Sequence, residues 1–435
     1  MPPRTRLIAA LSALLLLPGH AAWAGEPGHV PWAGEAHGSG PGQRAVPSLE
    51  TPPLFDDEAG GDADADDPAI WVDSRHPSRS LVIGTAKNAG LRVYDLGGRQ
   101  LQAIAAPPAP DPDSEPGRFN NVDLVRGIRL AGRTVDLAVV TDRGRDQLRI
   151  YRIDPIARRL VDVTAAGVPF LFSKDQAEVN EATTGYGLAT YTHGGAAYAV
   201  TSRRHTSGLG LFRLQPRGHH VSYQRVDTLD LPSTFRLPNG TRWQPCDEPG
   251  VGPQVEGMTV DRGTLYAAQE DVGFWRIDLR GNRFHAPSIV DKVREFGVPA
   301  TYDPETEECT LDWAHDPGYG GTRISADVEG LTVYDAGNGC GYLLVSSQGD
   351  STFLAYDRRT NLFLTRFVIT DGPAADGAQH SDGAAVVSAP LGRAFPAGLL
   401  VVHDGENTGA DSQAPRPSTN FKYVDWRAVA GILPR

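Results

Sequence analysis

Six times along the chain a short apolar run ends in a charged or amide loop, and a second apolar run follows that closes on an aromatic residue or its equivalent. The copies begin at Leu81, Leu137, Tyr198, Leu265, Tyr342 and, more loosely, Leu399. Ahead of each copy lies another stretch in which a polar residue, often followed by glycine, introduces alternating apolar positions. These stretches read Asp66-DPAIWVD, Asn120-NVDLVRGI, Tyr186-GLATYT, Glu256-GMTVD, Glu329-GLTVYD and Asp382-GAAVV. Alternation with period two is the signature of strands. The six anchors are spaced roughly 50 to 75 residues apart, longer than a bare blade of ~40 to 50, which leaves room for loops. The pattern predicts an all-β, six-bladed β-propeller with four-stranded antiparallel blades around a central channel.

That architecture places the repeated loops on one rim, so Lys87, Arg143, Arg203, Glu270, Gln348 and Asp404 are expected to converge there. The opening strands are expected innermost, entering from the channel rim. A ring must also close on itself, or it leaves an exposed strand edge. The apolar stretch from Val46 to Phe55 is the segment expected to add an outer strand to the last unit.

The ends of the chain read differently. Arg4 and Arg6, an apolar run from Leu7 to Leu17 and the small-x-small triplet Ala22-Trp-Ala24 form a secretory signal, with cleavage near Ala24. That run is too short to span a bilayer, and no later run reaches the ~18 apolar residues needed. Residues 25–48 are rich in Gly, Pro, Ala and His without periodicity and read as a flexible leader. The propeller domain is then 49–435, in a secreted or periplasmic protein. Removing two arginines moves the net charge from −12 to about −14. An acidic chain without a basic stripe does not suit nucleic acid.

Three cysteines in an oxidising compartment leave one over. Cys246 and Cys309 lie in Pro- and Glu-rich loops flanking the fourth unit and could pair; Cys340, beside a strand, is expected to be a small buried residue. No zinc spacing is formed.

Several polar constellations carry candidate chemistry. Asp62, Asp64, Asp66 and Asp67 crowd before the first strand and suit either a calcium site or a solvated acidic loop. Glu256 and Glu329 hold equivalent positions before a glycine, so with Glu270 and Asp327 they should face one another across a narrow channel. Buried like charges repel unless a cation intervenes; the alternative is carboxylates satisfied by backbone amides. Against the acids stand Lys87, Arg143, Arg203, Arg204 and the Tyr186 phenol, groups that recognise phosphate when they act together and that singly would be ordinary surface pairs. Asp371, Asp376 and Asp382 each precede glycine, as turn signals or as a metal cage, and Asn120, Asn121 and Asp123 add oxygen donors. The chain has no Gly-x-Ser-x-Gly elbow, Walker loop or dinucleotide fingerprint. With no protein nucleophile in evidence, a metal-activated water is the mechanism left.

In these residues the chain resembles the β-propeller phytases, calcium-dependent six-bladed enzymes that remove phosphate from myo-inositol hexakisphosphate (phytate). The resemblance runs from about Gly61 to Trp426 through Asp66-DPAIWVD, Thr85-AKNAGLRVYDLGG, Asn120-NVDL, Tyr186-G, Val255-EGMTVD, Ala268-QEDVGFW, Asp327-VEGLTVY, Gly341-YLLVSSQG, Ile369-TDGPAADG, Ser381-DG and Asn420-FK. It implies several Ca²⁺ ions, with Asp67, Asn121, Asp123, Asp327, Glu329, Asp371 and Asp382 as ligands or their supports. Glu256 and Glu270 would line the catalytic calcium cluster, and either could take the proton of a calcium-bridged water. Lys87, Arg143, Tyr186 and Gln348 would contact substrate phosphates, with Arg203 on the same edge. The chain departs from the family at Arg203-Arg204, where a lysine followed by an acid is usual, and at Asp404, where an amide is common. A monomer acting on phytate or calcium-phytate, with no nucleic-acid or membrane partner, is the expectation. A non-catalytic calcium-stabilised binding propeller and a calcium-dependent lactonase are the alternatives; the lactonase would need one metal and no basic ring.

Overall fold

The structure, a computed structural model, describes residues 43–413 and 415–434. The signal segment and most of the leader expected from sequence lie outside them. Within the described residues helix is confined to short turns, of which Gln176–Val179 and Trp426–Ala430 are α-helical. No helix there is long and apolar enough to cross a membrane.

Strands form six blades. Blade 1 comprises Pro68–Trp71, Leu81–Thr85, Leu91–Asp95 and Gln100–Ile104, and blade 2 Phe119–Leu130, Arg133–Asp142, Gln147–Asp154 and Arg159–Asp162. Blade 3 is Gly185–His193, Ala196–Arg203, Gly208–Arg217 and His220–Asp230; blade 4 is Val255–Asp261, Thr264–Gln269, Gly273–Arg280 and Arg283–Lys292. Blade 5 is Val328–Gly337, Cys340–Ser347, Thr352–Asp357 and Phe363–Ile369; blade 6 is Ala384–Val387, Leu399–Asp404 and Ser418–Asp425. The first strand of each blade touches that of the next, and the sixth returns to the first.

The N-terminal segment completes the ring in two places. Leu49–Glu50 adds antiparallel to Lys422 and Tyr423 as the outer strand of blade 6, and Leu54–Phe55 pairs with Ser418 and Thr419. A strand also lies ahead of the expected start of the propeller domain. Gln43–Ala45, inside the expected leader, pairs in parallel with Phe367–Ile369 as a fifth strand on blade 5. These pairings cover edges that would otherwise be open templates.

Sheets stacked face to face bury both surfaces of their middle strands, which is why those strands read as continuous apolar runs. All five residues of Leu81–Thr85 are buried. The core lies between neighbouring blades, Leu137, Val139, Phe212 and Tyr223 packing between blades 2 and 3 and Leu265, Phe274, Leu343 and Tyr356 between blades 4 and 5.

The recurring acid-glycine pairs have a steric cause. A Cβ on Gly257 would lie 2.2 Å from the Glu329 carbonyl oxygen, and one on Gly330 would lie 2.6 Å from that of Asp382. Only glycine lets the next blade's backbone approach this closely. The acid before each glycine is thereby carried against the acid of its neighbour.

Two inserts depart from the blade plan. Phe235–Arg236 pairs with Arg242–Trp243 after blade 3, and Ala300–Asp303 with Glu308–Leu311 after blade 4. Cys246 and Cys309 join them in a disulfide, their Cα atoms 6.0 Å apart. Cys340 is exposed, contrary to the buried position expected, because it follows a hairpin tip in which Asn338 and Gly339 take positive φ.

Candidate active site

Strand starts from blades 4 and 5 and the loop after the second strand of blade 4 bring Glu256, Glu270 and Glu329 together. Each offers a carboxylate oxygen, and these lie within 4.8 Å of one another. All three residues are buried. At such separations two ionised carboxylates repel by roughly 3 kcal/mol even at an effective dielectric of ~20. Three such pairs rival the stability of a whole domain. Burial first, then Asp327 and Glu256, push the Glu270 carboxyl well above the usual range. Glu329 is raised in the same sense by burial, Glu256 and Glu270.

Hydrogen bonds from blades 2 and 3 fix the third acid. Asn120 Nδ2 donates to Glu256 Oε1 at 2.6 Å, and the Tyr186 hydroxyl donates to Oε2 at 2.5 Å. The Arg143 guanidinium is buried, donates to Asn120 Oδ1 at 3.1 Å, and lies 5.6 Å from the centre of the Tyr186 ring. On the other flank Gln348 Nε2 donates to Asp382 Oδ1. The Asp382 amide donates to His403 Nδ1 at 3.0 Å. Burial, aided by Lys87, pulls the His403 pKa down to about 3, so the imidazole is neutral and accepts.

The acidic run before blade 1 divides. Asp66, 1% exposed, joins the central group, its carboxyl raised by burial and then by Glu256. Asp67, expected as a ligand, accepts from the Val122 amide at 3.0 Å through Oδ2, and burial, Asp123 and Glu256 hold its carboxyl well above the usual range. Asp62 and Asp64 gather with Asp56 in a separate, less buried group, where Arg118 donates to Asp62 at 2.9 Å. Lys87 stands between the two groups, opposing the burial that pushes Asp64 up to about 6.

The other expected ligands each have protein partners. Asn121 is buried and accepts from Asn120 Nδ2 at 2.8 Å. Asp123 Oδ2 accepts from the Thr190 amide and hydroxyl at 2.6 and 3.0 Å, stitching blade 2 to blade 3. Asp371 is exposed and accepts from the Gly377 amide at 2.9 Å. Asp327 lies between Glu270 and a further acid, Asp271, raising both. Arg203 donates Nε to the Thr183 carbonyl at 2.9 Å and reaches Glu178 at 3.4 Å. The Arg204 charge acts on Asp247, which the insert after blade 3 carries in. Asp404 does not line the rim: it is fully buried and holds the Lys422 ammonium at 3.0 Å.

Sequence reasoning thus missed Asp66 as the member of its run that joins the cluster, and also Asp271, Asp247, His403 and Gln254. Asp271 was signalled by its place beside Glu270 at a strand end. Nothing in the sequence marked Gln254, whose partners come from two separate segments.

A hard divalent cation fits this centre. Asp66 Oδ1, Glu270 Oε1 and Glu329 Oε2 are buried and make no hydrogen bond, and a set of carboxylate oxygens is the donor chemistry such ions prefer.

The sequence pattern of the Phytase family matches residues 4–209 and 301–434. A 3-phytase from Bacillus subtilis (strain 168) is 32% identical over 389 residues, covering 88% of this chain and 84% of that protein. Among solved structures, RRP9 WD40 repeats align over 87% of this chain and 99% of theirs, with 10% identity and a TM-score of 0.40. The β-propeller domain of Myceliophteria thermophila Cps50 (Swd1) aligns over 82% of each chain, with 12% identity and a TM-score of 0.34. Likenesses this distant add nothing to what the blades themselves display. The sequence matches are of another order: with its six blades and its ring of buried acids, the chain belongs to the phytase family of enzymes.

Proposed function

We propose that this enzyme is a calcium-dependent phosphomonoester hydrolase that removes phosphate from phytate by attack of water. The observation that carries the reading is the set of buried carboxylate oxygens without hydrogen bonds at Asp66, Glu270 and Glu329, opposite the basic side chains Lys87 and Arg143. Asp66, Glu256, Glu270, Asp327, Glu329 and Asp382 are the residues that would hold calcium. Bound there, calcium supplies positive charge against phosphoryl oxygens and lowers the pKa of a water.

The chain's own residues do the rest. Lys87 and Arg143 orient a substrate phosphate through charge-assisted hydrogen bonds, with Arg203 farther along the same edge. Both oxygens of Glu256 accept hydrogen bonds, from Asn120 and Tyr186, whereas Glu270 keeps Oε1 without one. Of the two acids, Glu270 therefore offers the freer oxygen to the cation. Phosphates adjacent on one ring would raise occupancy by engaging several bases at once.

The reading includes export and a monomeric state. Its supports are the signal-like N-terminal sequence and the Cys246–Cys309 disulfide, a bond that persists in oxidising compartments.

The test is release of inorganic phosphate from phytate by the purified chain, with excess calcium and with a chelator. Release that needs calcium is expected, and Glu256→Gln should cut turnover more than tenfold with the fold intact. Release indifferent to the chelator would overturn the metal reading, and no release under either condition would overturn the substrate.

A further inference from the structure

The insert after blade 3 leads directly into the site. Trp243 packs on Phe296 with ring centres 4.5 Å apart and donates Nε1 to the Val298 carbonyl at 2.9 Å. Three residues on, Cys246 is bonded to Cys309. From this braced segment the chain crosses blade 3, the Gly252 amide donating to the His205 carbonyl at 2.9 Å. It then reaches Gln254, the residue before blade 4.

Gln254 holds two elements at once. Its Oε1 accepts from the His205 amide at 2.9 Å, on the loop that carries Arg203 and Arg204, and its Nε2 donates to Glu270 Oε2 at 3.0 Å. Its carbonyl also accepts from the Glu270 amide at 3.1 Å. One residue therefore grips Glu270 by its backbone and by one carboxylate oxygen. The other oxygen, Oε1, makes no hydrogen bond and is left to the group formed with Glu256 and Glu329.

We infer that Gln254 is a positioning residue for this group. It fixes the plane of the Glu270 carboxylate so that Oε1 is offered as a cation ligand, and it ties that orientation to the basic loop of blade 3. Only a side chain of this length with a donor and an acceptor at its tip does both: a carboxylate would accept from His205 but repel Glu270, and an apolar chain would do neither. Partners of this kind, one step removed from a metal, commonly change affinity by 10- to 100-fold. The inference rests on the calcium reading above.

Calorimetric calcium titration of the calcium-stripped wild-type chain and of Gln254→Met tests it. The expected result is calcium binding by the wild type and roughly tenfold weaker binding by the variant. The melting temperature of the calcium-free variant should stay close to wild type. At saturating calcium, kcat should fall while the KM for phytate stays within about twofold. Wild-type calcium affinity in Gln254→Met would overturn the assignment of Gln254. A wild type that binds no calcium would instead overturn the reading beneath it. Should Gln254→Met not fold, Gln254→Asn, one methylene too short to span both groups, is read in the same way.

Discussion

The Tyr186 hydroxyl donates to Glu256 Oε2 at 2.5 Å. This bond joins the opening strands of blades 3 and 4 and sets the orientation of the acid most tightly held in the central group. Tyr186→Phe keeps the ring beside Arg143 and removes that bond. A hydrogen bond to a charged group is worth about 1.5–3 kcal/mol, so turnover should fall roughly 10- to 100-fold. Phosphate release kinetics will measure this, with thermal melting to show that the fold is kept. Wild-type turnover in the variant would remove the phenol from the catalytic arrangement.

Lys422 is fully buried and its ammonium is held by Glu50, Asp376 and Asp404. Glu50 belongs to the N-terminal strand that completes blade 6, so this ammonium helps fasten the closure of the ring. Lys422→Met would leave buried carboxylates without their countercharge. Removing one partner of a buried ion pair costs about 3–5 kcal/mol. Denaturant unfolding should show a loss of that size; a variant as stable as wild type would mean that the acids simply take up protons.

Asp142 is fully buried at the end of the second strand of blade 2, accepting from the Arg118 amide at 3.0 Å, and burial raises its pKa to about 7. The folded protein therefore holds this proton to higher pH than the unfolded chain does. Its contribution to stability falls as pH rises from about 4 to about 7 and is constant beyond. At ~1.4 kcal/mol per pH unit, the upper bound is about 4 kcal/mol. Asp142→Asn should flatten the fall of stability over that window, measured by denaturant midpoints at several pH values. An unchanged slope would exclude Asp142 as its source.

The Cys246–Cys309 bond spans 63 residues of sequence and includes all of blade 4. Loop-closure entropy for that length is ~4 kcal/mol at 25 °C. Reductant should lower the melting temperature of the wild type and leave a Cys246→Ala, Cys309→Ala double variant unaffected. Equal sensitivity in both proteins would place the effect elsewhere.

The sequence by itself determined the fold and the membership of the central group in outline. Strand periodicity survives in the primary sequence because each blade buries both faces of its middle strands, so six copies of one pattern can be read before any contact is known. Glu256 and Glu329 were legible for a related reason. Each precedes a glycine that must admit the next blade's backbone, and that steric demand repeats with the blades. Asp66 and Asp67 are adjacent in sequence and both feel Glu256, yet Asp66 keeps Oδ1 without a hydrogen bond while Asp67 binds the Val122 amide. Asp404 occupies a rim position by repeat and turns instead to Lys422. Gln254 joins the separate segments that carry His205 and Glu270. Periodicity records which face of a strand is buried; the pairing of one polar atom with another is set by distance across the ring, and only the tertiary structure decides it.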